Sequence, residues 1–253
     1  MVFSDIGAAW RAFWERIGYW LKLGFLVALP SAIHGFLWDL YFDKPDVVAT
    51  PEFLGAHFAL GIVMAVACFI LSAVVCRACL RHWREDDTYV EPFANLPLQT
   101  LAVLGLLLAM YGTCEQWATI ANAETEMGSF AVSISFLQLA SWVPLLIVLP
   151  LVVDGGRGPF AAILESIRLM FRNFLKTAAV AFLFGLTLFL ATVPLFIAGV
   201  VTTLWGEADP VFSAIMMSVT MWVMFAFCIP VYYLFVTRVY LQKTHATASG
   251  TNP

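Results

Sequence analysis

Four polar side chains lie within otherwise apolar stretches of the sequence, where a polar group costs free energy. They are His34, His57, Glu115 and Gln138. Two imidazoles, one carboxylate and one amide meeting in one layer would suit a divalent metal, a proton relay or a polar ligand. Each residue also lies within a few turns of the expected outer end of its helix, where water and headgroups would satisfy it. Both interpretations stay open. The sequence has no His-Glu-x-x-His pattern of a metalloprotease.

A second group with binding chemistry is basic and lies in residues 154–176. Three glycines precede Pro159 and a helical pattern, which predicts an amphipathic surface helix over residues 159–176. The apolar side of that helix would consist of Phe160, Ile163, Leu164, Ile167, Met170, Phe171 and Phe174. Amide groups at a helix start attract anions, and cytoplasmic leaflets are anionic. A site for lipid phosphate would therefore consist of Arg157, Arg168, Arg172 and Lys176. The competing interpretation is a flexible turn with ordinary cytoplasmic positive charge.

The elements that position these residues must lie in a membrane. The chain has 253 residues, of which 62% are apolar and only 12% charged, whereas about a quarter of a soluble domain is charged. Six apolar runs are long enough to cross ~30 Å of hydrocarbon. We expect these spans at about residues 20–41, 54–76, 98–119, 131–153, 177–204 and 212–237. A further surface helix at 2–19 and a polar, disordered tail at 244–253 complete one all-α transmembrane domain over residues 1–243.

The basic residues predict the orientation of these spans. Of the 13 lysines and arginines, Lys44 alone falls on one side of a six-span arrangement, and the other 12 fall on the opposite side. Because positive loops stay in the cytoplasm, both termini are expected there, in a bacterial inner membrane. The polar segment 77–97 is expected to be a solvated cytoplasmic turn. Residues 2–19 and 159–176, each followed by a spanning hairpin, also suggest an internal repeat.

The five cysteines do not form a convincing redox or metal motif. Cys76 and Cys79 are the only close pair, and no second pair completes a metal site. We expect both to be small, buried packing groups. No serine or cysteine nucleophile stands beside an apparent base, so no catalytic residue is predicted.

Residues 150–183 carry a local pattern that resembles a known group of proteins. A span ends in Pro-Leu-Val-Val-Asp, Ala-x-x-x-Ser-x-Arg-Leu follows at Ala162–Leu169, and then comes Arg172-Asn173-Phe174. In these features the chain resembles prokaryotic six-helix inner-membrane proteins similar to the membrane domain of some glycerophosphoryl diester phosphodiesterases. Arg172 stands where such proteins often have glycine. The resemblance implies a six-span membrane module without catalytic residues, because the phosphodiesterase chemistry belongs to a separate soluble domain.

Together these observations predict a non-enzymatic accessory or scaffold module of the inner membrane. It would bind anionic lipid and a second membrane protein, with no nucleic-acid partner, metal or other cofactor. The alternative is a small-molecule or ion transporter with an outward-facing polar site formed by His34, His57, Glu115 and Gln138.

Overall fold

A computed structural model of the chain describes residues 2–42, 51–84, 96–123, 145–172, 174–205 and 210–248. Throughout these ranges the structure is helical apart from short connections, and it contains no strand. The helices are α1 (Val2–Glu15), α2 (Ile17–Phe42), α3 (Pro51–Trp83), α4 (Leu98–Ala123), α5 (Val148–Gly155), α6 (Pro159–Phe171), α7 (Phe174–Trp205) and α8 (Pro210–Ala248).

Four of these helices are long and apolar enough to cross a membrane. Their spanning segments are Ile17–Leu37, Phe58–Trp83, Thr177–Val201 and Ser218–Thr244. They correspond to the first, second, fifth and sixth predicted spans, so the all-helical, multi-pass class is confirmed. Helix α4 carries a shorter apolar stretch, Leu98–Tyr111, at the predicted third span. Most of the predicted fourth span, residues 131–144, lies outside the described residues.

Two helices continue past their predicted ends. Helix α3 runs to Trp83, so residues 77–83 are helical and not the start of a solvated turn. Helix α8 runs to Ala248 and takes in the first half of the predicted tail. An apolar run marks only where the chain leaves hydrocarbon. A helix continues beyond that point as long as its backbone bonds and polar side chains find partners.

The region between α5 and α7 also differs from the prediction. Residues 145–147 form a turn before α5, and Pro150 lies in the first turn of that helix, where its missing N–H has no helical partner anyway. Gly156 ends α5 with φ 57°, a left-handed conformation that favours glycine. Pro159 then begins α6, which ends at Phe171, five residues before the predicted end of the surface helix.

Helix α1 packs its apolar face against protein, whereas the sequence predicts a helix at the membrane surface over residues 2–19. Ile6, Ala9, Ala12 and Phe13 are buried in the core. The Phe13 ring meets Phe227 of α8 edge-on, with the ring centroids 5.0 Å apart. The apolar periodicity therefore identifies a helix. It does not show whether the apolar face of that helix contacts lipid or other helices.

Helices α2 and α8 cross at close backbone contact. A Cβ atom at Gly24 would overlap the backbone carbonyl of Ala226. That carbonyl has no amide donor four residues on, because Pro230 occupies the position inside α8. Beside it, Trp222 Nε1 donates to the carbonyl oxygen of Phe25 at 2.9 Å. Small residues at a crossing let membrane helices approach, and the approach here also covers a carbonyl that proline leaves without its helical partner.

Adding one methyl group at this crossing should separate the two helices. We expect Gly24→Ala to lower the free energy of unfolding by about 2 kcal/mol, the typical scale of overpacking a core. The measurement is unfolding of the purified protein in mixed detergent micelles. Gly35→Ala is the matched control, since a Cβ at that helical glycine meets nothing within 4 Å. Equal stability of the two variants would contradict the close crossing.

Candidate functional site

The carboxylate of Asp154, the last acidic residue of α5, joins three helices at one end of the bundle. Arg84, just after α3, donates from Nη1 to Oδ1 at 2.6 Å and from Nη2 to Oδ2 at 2.7 Å. The Tyr240 hydroxyl of α8 donates to Oδ2 at 2.9 Å. The side chain of Arg84 is 47% exposed and that of Asp154 is 20% exposed. Such a two-bond arginine–carboxylate contact fixes orientation as well as distance.

A second carboxylate, Asp5 of α1, anchors the N-terminal helix to the same end of α8. Arg238 Nε donates to Asp5 Oδ1 at 2.9 Å, and Gln242 Nε2 donates to the same oxygen at 2.8 Å. The guanidinium of Arg238 also lies 4.9 Å from the centre of the Trp83 ring, in cation–π geometry. Trp83 Nε1 in turn donates to the Leu234 carbonyl at 2.9 Å. The first and last described helices are therefore held together near their ends.

Lys243 ties the start of α7 and the end of α6 to α8. Its ammonium group donates to the Leu169 carbonyl at 3.2 Å and to the Thr177 hydroxyl at 3.0 Å. Together with the contacts of Asp5 and Asp154, these bonds place much of the chain's basic charge at one end of the bundle. We refer to this end as the basic end.

The structure describes three of the four side chains that are predicted to bind lipid phosphate, and they differ in their contacts. Arg157 Nη1 lies 3.4 Å from Glu165 Oε2 of α6, so the carboxylate neutralises part of the arginine charge within the protein. Arg168 and Arg172 have exposed side chains. Lys176 belongs to α7, but its side chain lies outside the described residues. Arg168 of α6 and Arg172, the residue after that helix, are therefore the exposed arginines among the predicted four that lie outside the contact of Arg157 with Glu165.

Helix α6 presents apolar side chains outward next to these arginines. Ala162, Ser166 and Met170, spaced by four, are fully buried. The predicted apolar side is thus divided, because Met170 faces the protein while other members face away. The outward members are Phe160, Leu164 and Phe171, which are 66%, 68% and 60% exposed. Arg168 is one turn from Leu164, so basic and apolar groups adjoin on the outer surface of α6.

The four predicted intramembrane polar residues are described only in part. His34 lies against α3, where a Cβ at Gly61 would be 3.2 Å from its Nε2. His57 and Glu115 lie on α3 and α4, but their side chains are outside the described residues, as is the whole of Gln138. Their convergence stays a prediction. Among the described residues there is no group of three histidine, cysteine or acidic side chains that would hold a metal.

The cysteine prediction is confirmed for the close pair. Cys76 and Cys79 are both fully buried and free of disulfides. Both thiols belong to the hydrophobic core that α3 shares with the other helices. Small buried thiols of this kind act as packing groups.

An apolar cavity of about 890 Å³ lies between α3, α4, α5, α7 and α8. No charged residue is among its described lining residues, and Tyr232 and Tyr233 supply the hydroxyl groups there. Part of the wall is the stacked pair Phe184 and Phe235, with ring centroids 4.2 Å apart. This volume is within the range of small-molecule sites, about 300–1,000 Å³.

Sequence reasoning missed the residues that organise the basic end. The sequence pattern singles out neither Asp5 nor Asp154 as a pairing residue. The available signal is an acidic residue at the terminus of a helix, on a side of the protein that is otherwise basic. Such a residue is well placed to pair with a neighbouring arginine, as both do.

Comparison of the chain with protein-family models, curated proteins and solved structures finds no match. The geometry of the described residues is therefore what supports a functional conclusion.

The Asp154 contact should contribute measurable stability. A double-mutant cycle of Arg84→Met and Asp154→Asn should give a coupling energy of about 1–2 kcal/mol, as expected for a partly exposed charged hydrogen-bond pair. Unfolding in mixed micelles provides the free energies. The control cycle is Arg157→Met with Glu165→Gln, a single longer contact whose coupling should stay below about 0.5 kcal/mol. Additive effects of Arg84 and Asp154 would show that their contact contributes nothing.

Proposed function

We propose that this protein is a non-enzymatic accessory module of the bacterial inner membrane that binds anionic phospholipid at its basic end. The observation that carries the proposal is the outer surface of α6, where Phe160, Leu164 and Phe171 are exposed beside Arg168 and Arg172. Apolar side chains that enter the acyl region, next to cations at headgroup level, are the two elements of an interfacial helix. A protein partner within the membrane would dock on the scaffold that this helix anchors.

The positions of the arginines at the basic end support α6 as the helix that binds lipid. Arg84 and Arg238 are held by Asp154 and Asp5, and Arg157 is near Glu165. These arginines stabilise the protein itself. The side chains of Arg168 and Arg172 are exposed, and each would contribute about 1 kcal/mol to attraction near an anionic surface.

The proposed topology has six spans with both termini in the cytoplasm. Its support is the one-sided distribution of basic residues and the contact of α1 with the end of α8 through Asp5 and Arg238. In this topology α4 and the segment that ends in α5 form an additional hairpin. The basic end faces the cytoplasmic leaflet, as the positive-inside rule requires. The resemblance to six-helix inner-membrane proteins implies the same arrangement.

Reporter fusions distinguish six spans from four. Alkaline phosphatase fused after Glu126 should be active, because that enzyme folds only in the oxidising periplasm and Glu126 would lie outside. Fusion after Arg157 should be inactive, and green fluorescent protein at the C-terminus should fluoresce. If α4 does not cross the membrane, the Glu126 fusion will be inactive as well, and the additional hairpin will be excluded.

Lipid binding is tested by native mass spectrometry of the detergent-purified protein supplied with phosphatidylglycerol. We expect Arg168→Glu/Arg172→Glu to lower bound phosphatidylglycerol at least about tenfold, since more than 1.4 kcal/mol of attraction is lost. The matched control is Arg11→Glu/Arg16→Glu, which makes the same charge change at two exposed arginines.

Each result of that experiment has a defined meaning. Equal loss in both double variants would show that net charge, and not α6, attracts the lipid. Unchanged binding in both would contradict the proposal. If a small ligand or ion is instead lost in Glu115→Gln while lipid is retained, the transporter interpretation replaces it.

A further inference from the structure

We propose that the apolar cavity binds one acyl chain of a membrane phospholipid whose headgroup lies at the basic end. The anionic character of that headgroup rests on the function proposed above. The binding of the chain does not, because it follows from the shape, lining and position of the cavity.

The lining of the cavity selects hydrocarbon. Its walls come from five helices and consist of aliphatic and aromatic residues, with no charged group among those described. Tyr232 and Tyr233 supply the hydroxyl groups of this lining, so most of the cavity offers water no polar partner. If it were empty, the lining atoms would lose dispersion contacts on one side. A flexible apolar chain restores those contacts without needing a hydrogen bond.

The cavity opens toward the hydrocarbon layer. Phe182, Leu186 and Phe189 line it and are 55%, 43% and 65% exposed among the described residues. All three lie within the spanning segment Thr177–Val201. A chain from the surrounding bilayer therefore enters sideways and does not cross water, which is the route available to a phospholipid and not to a soluble ligand.

The length and polarity of the cavity match one leaflet. The lining of α7 runs from Ala178 to Phe189, a rise of about 16 Å at ~1.5 Å per residue and about half of a ~30 Å hydrocarbon core. Ala178 directly follows Thr177, whose hydroxyl accepts a hydrogen bond from Lys243. The shallow end of the cavity thus adjoins an ammonium group, whereas no charged residue is among its described lining residues. This polarity fits a chain that descends from an anionic headgroup.

Residues 124–144, outside the described part of the chain, are the competing occupant. They join α4 to Leu145, which itself lines the cavity. The experiment must therefore distinguish a lipid chain from a segment of the protein.

Gly185 provides the test because it lines the cavity and a Cβ there meets nothing within 4 Å. Gly185→Phe should fill the space, whereas Gly35→Phe, at an equally open helical glycine of α2, is the matched control. The full chain is placed in nanodiscs containing phosphatidylglycerol with a photoactivatable diazirine midway along one acyl chain. After irradiation, labelled residues are mapped by peptide mass spectrometry.

We expect labelling of the cavity-lining residues Leu149 and Tyr233 in the wild type. It should fall at least about fivefold in Gly185→Phe, because a filled cavity excludes the chain, and it should persist in Gly35→Phe. Equal labelling of Leu149 and Tyr233 in both variants would overturn the proposal. Absence of cavity labelling in the wild type, with a lower melting temperature for Gly185→Phe than for Gly35→Phe, would overturn it in favour of residues 124–144.

A phosphatidylcholine probe with the same diazirine chain separates this inference from the proposed function. Weaker cavity labelling by phosphatidylcholine than by phosphatidylglycerol supports an anionic headgroup at the basic end. Equal labelling by the two probes would refute the anionic preference, while the chain site itself would stand.

Discussion

The carboxylate of Asp154 is the group on which the basic end of the bundle depends. It accepts two hydrogen bonds from Arg84 and one from Tyr240, so a single side chain fixes the end of α5 relative to α3 and α8. The next residues turn the chain at Gly156 and start α6 at Pro159. Because those two steps are short and constrained, the position of α5 also determines which way α6 faces. The outward direction of Arg168 and Phe160 therefore depends in part on the partly exposed contact of Asp154 with Arg84.

This arrangement divides the positive charges into two kinds. Sequence counting treats every lysine and arginine at a cytoplasmic surface alike, since the positive-inside rule depends only on side. In the structure, Arg84 and Arg238 have carboxylate partners, and Arg238 also stacks on Trp83. Exposed arginine side chains lie both at α1, as Arg11 and Arg16, and at α6, as Arg168 and Arg172. Those at α6 lie beside the exposed apolar side chains Phe160, Leu164 and Phe171. Exposed charge beside apolar side chains would recruit an anionic headgroup, and the total of twelve basic residues on this side matters less.

The class of the fold was predictable from the sequence, whereas its contacts were not. Apolar length identifies α2, α3, α7 and α8, because the thickness of hydrocarbon sets how long a span must be. Periodicity also located α1 and α6, but it assigned the apolar face of α1 to the wrong neighbour and that of α6 only partly to the right one. Phe13 is buried against α8, and Met170 faces the protein although Phe160 does not. In a membrane protein, lipid and the protein interior are equally apolar, so a hydrophobic pattern cannot separate the two neighbours. The pairing of Asp5 and Asp154 with arginines was not predictable, because those arginines are distant in sequence and a local pattern carries no information about such contacts.

The same lack of contrast between lipid and protein explains why one bundle contains both a close crossing and a cavity. Water does not drive membrane helices together, so each interface is only as tight as its packing makes it. Gly24 and Ala226 allow backbone contact between α2 and α8, and Pro230 leaves a carbonyl that this contact covers. Elsewhere in the bundle, a cavity lined by Phe182, Phe184 and Phe189 separates α7 from α3 and α4. If this cavity opened to water, exposure of its apolar walls would cost the full free energy of the hydrophobic effect. In a bilayer an acyl chain fills it with contacts similar to those it makes with other lipids. An unfilled side of this bundle is therefore compatible with a stable fold, and a lipid bound there is part of the packing.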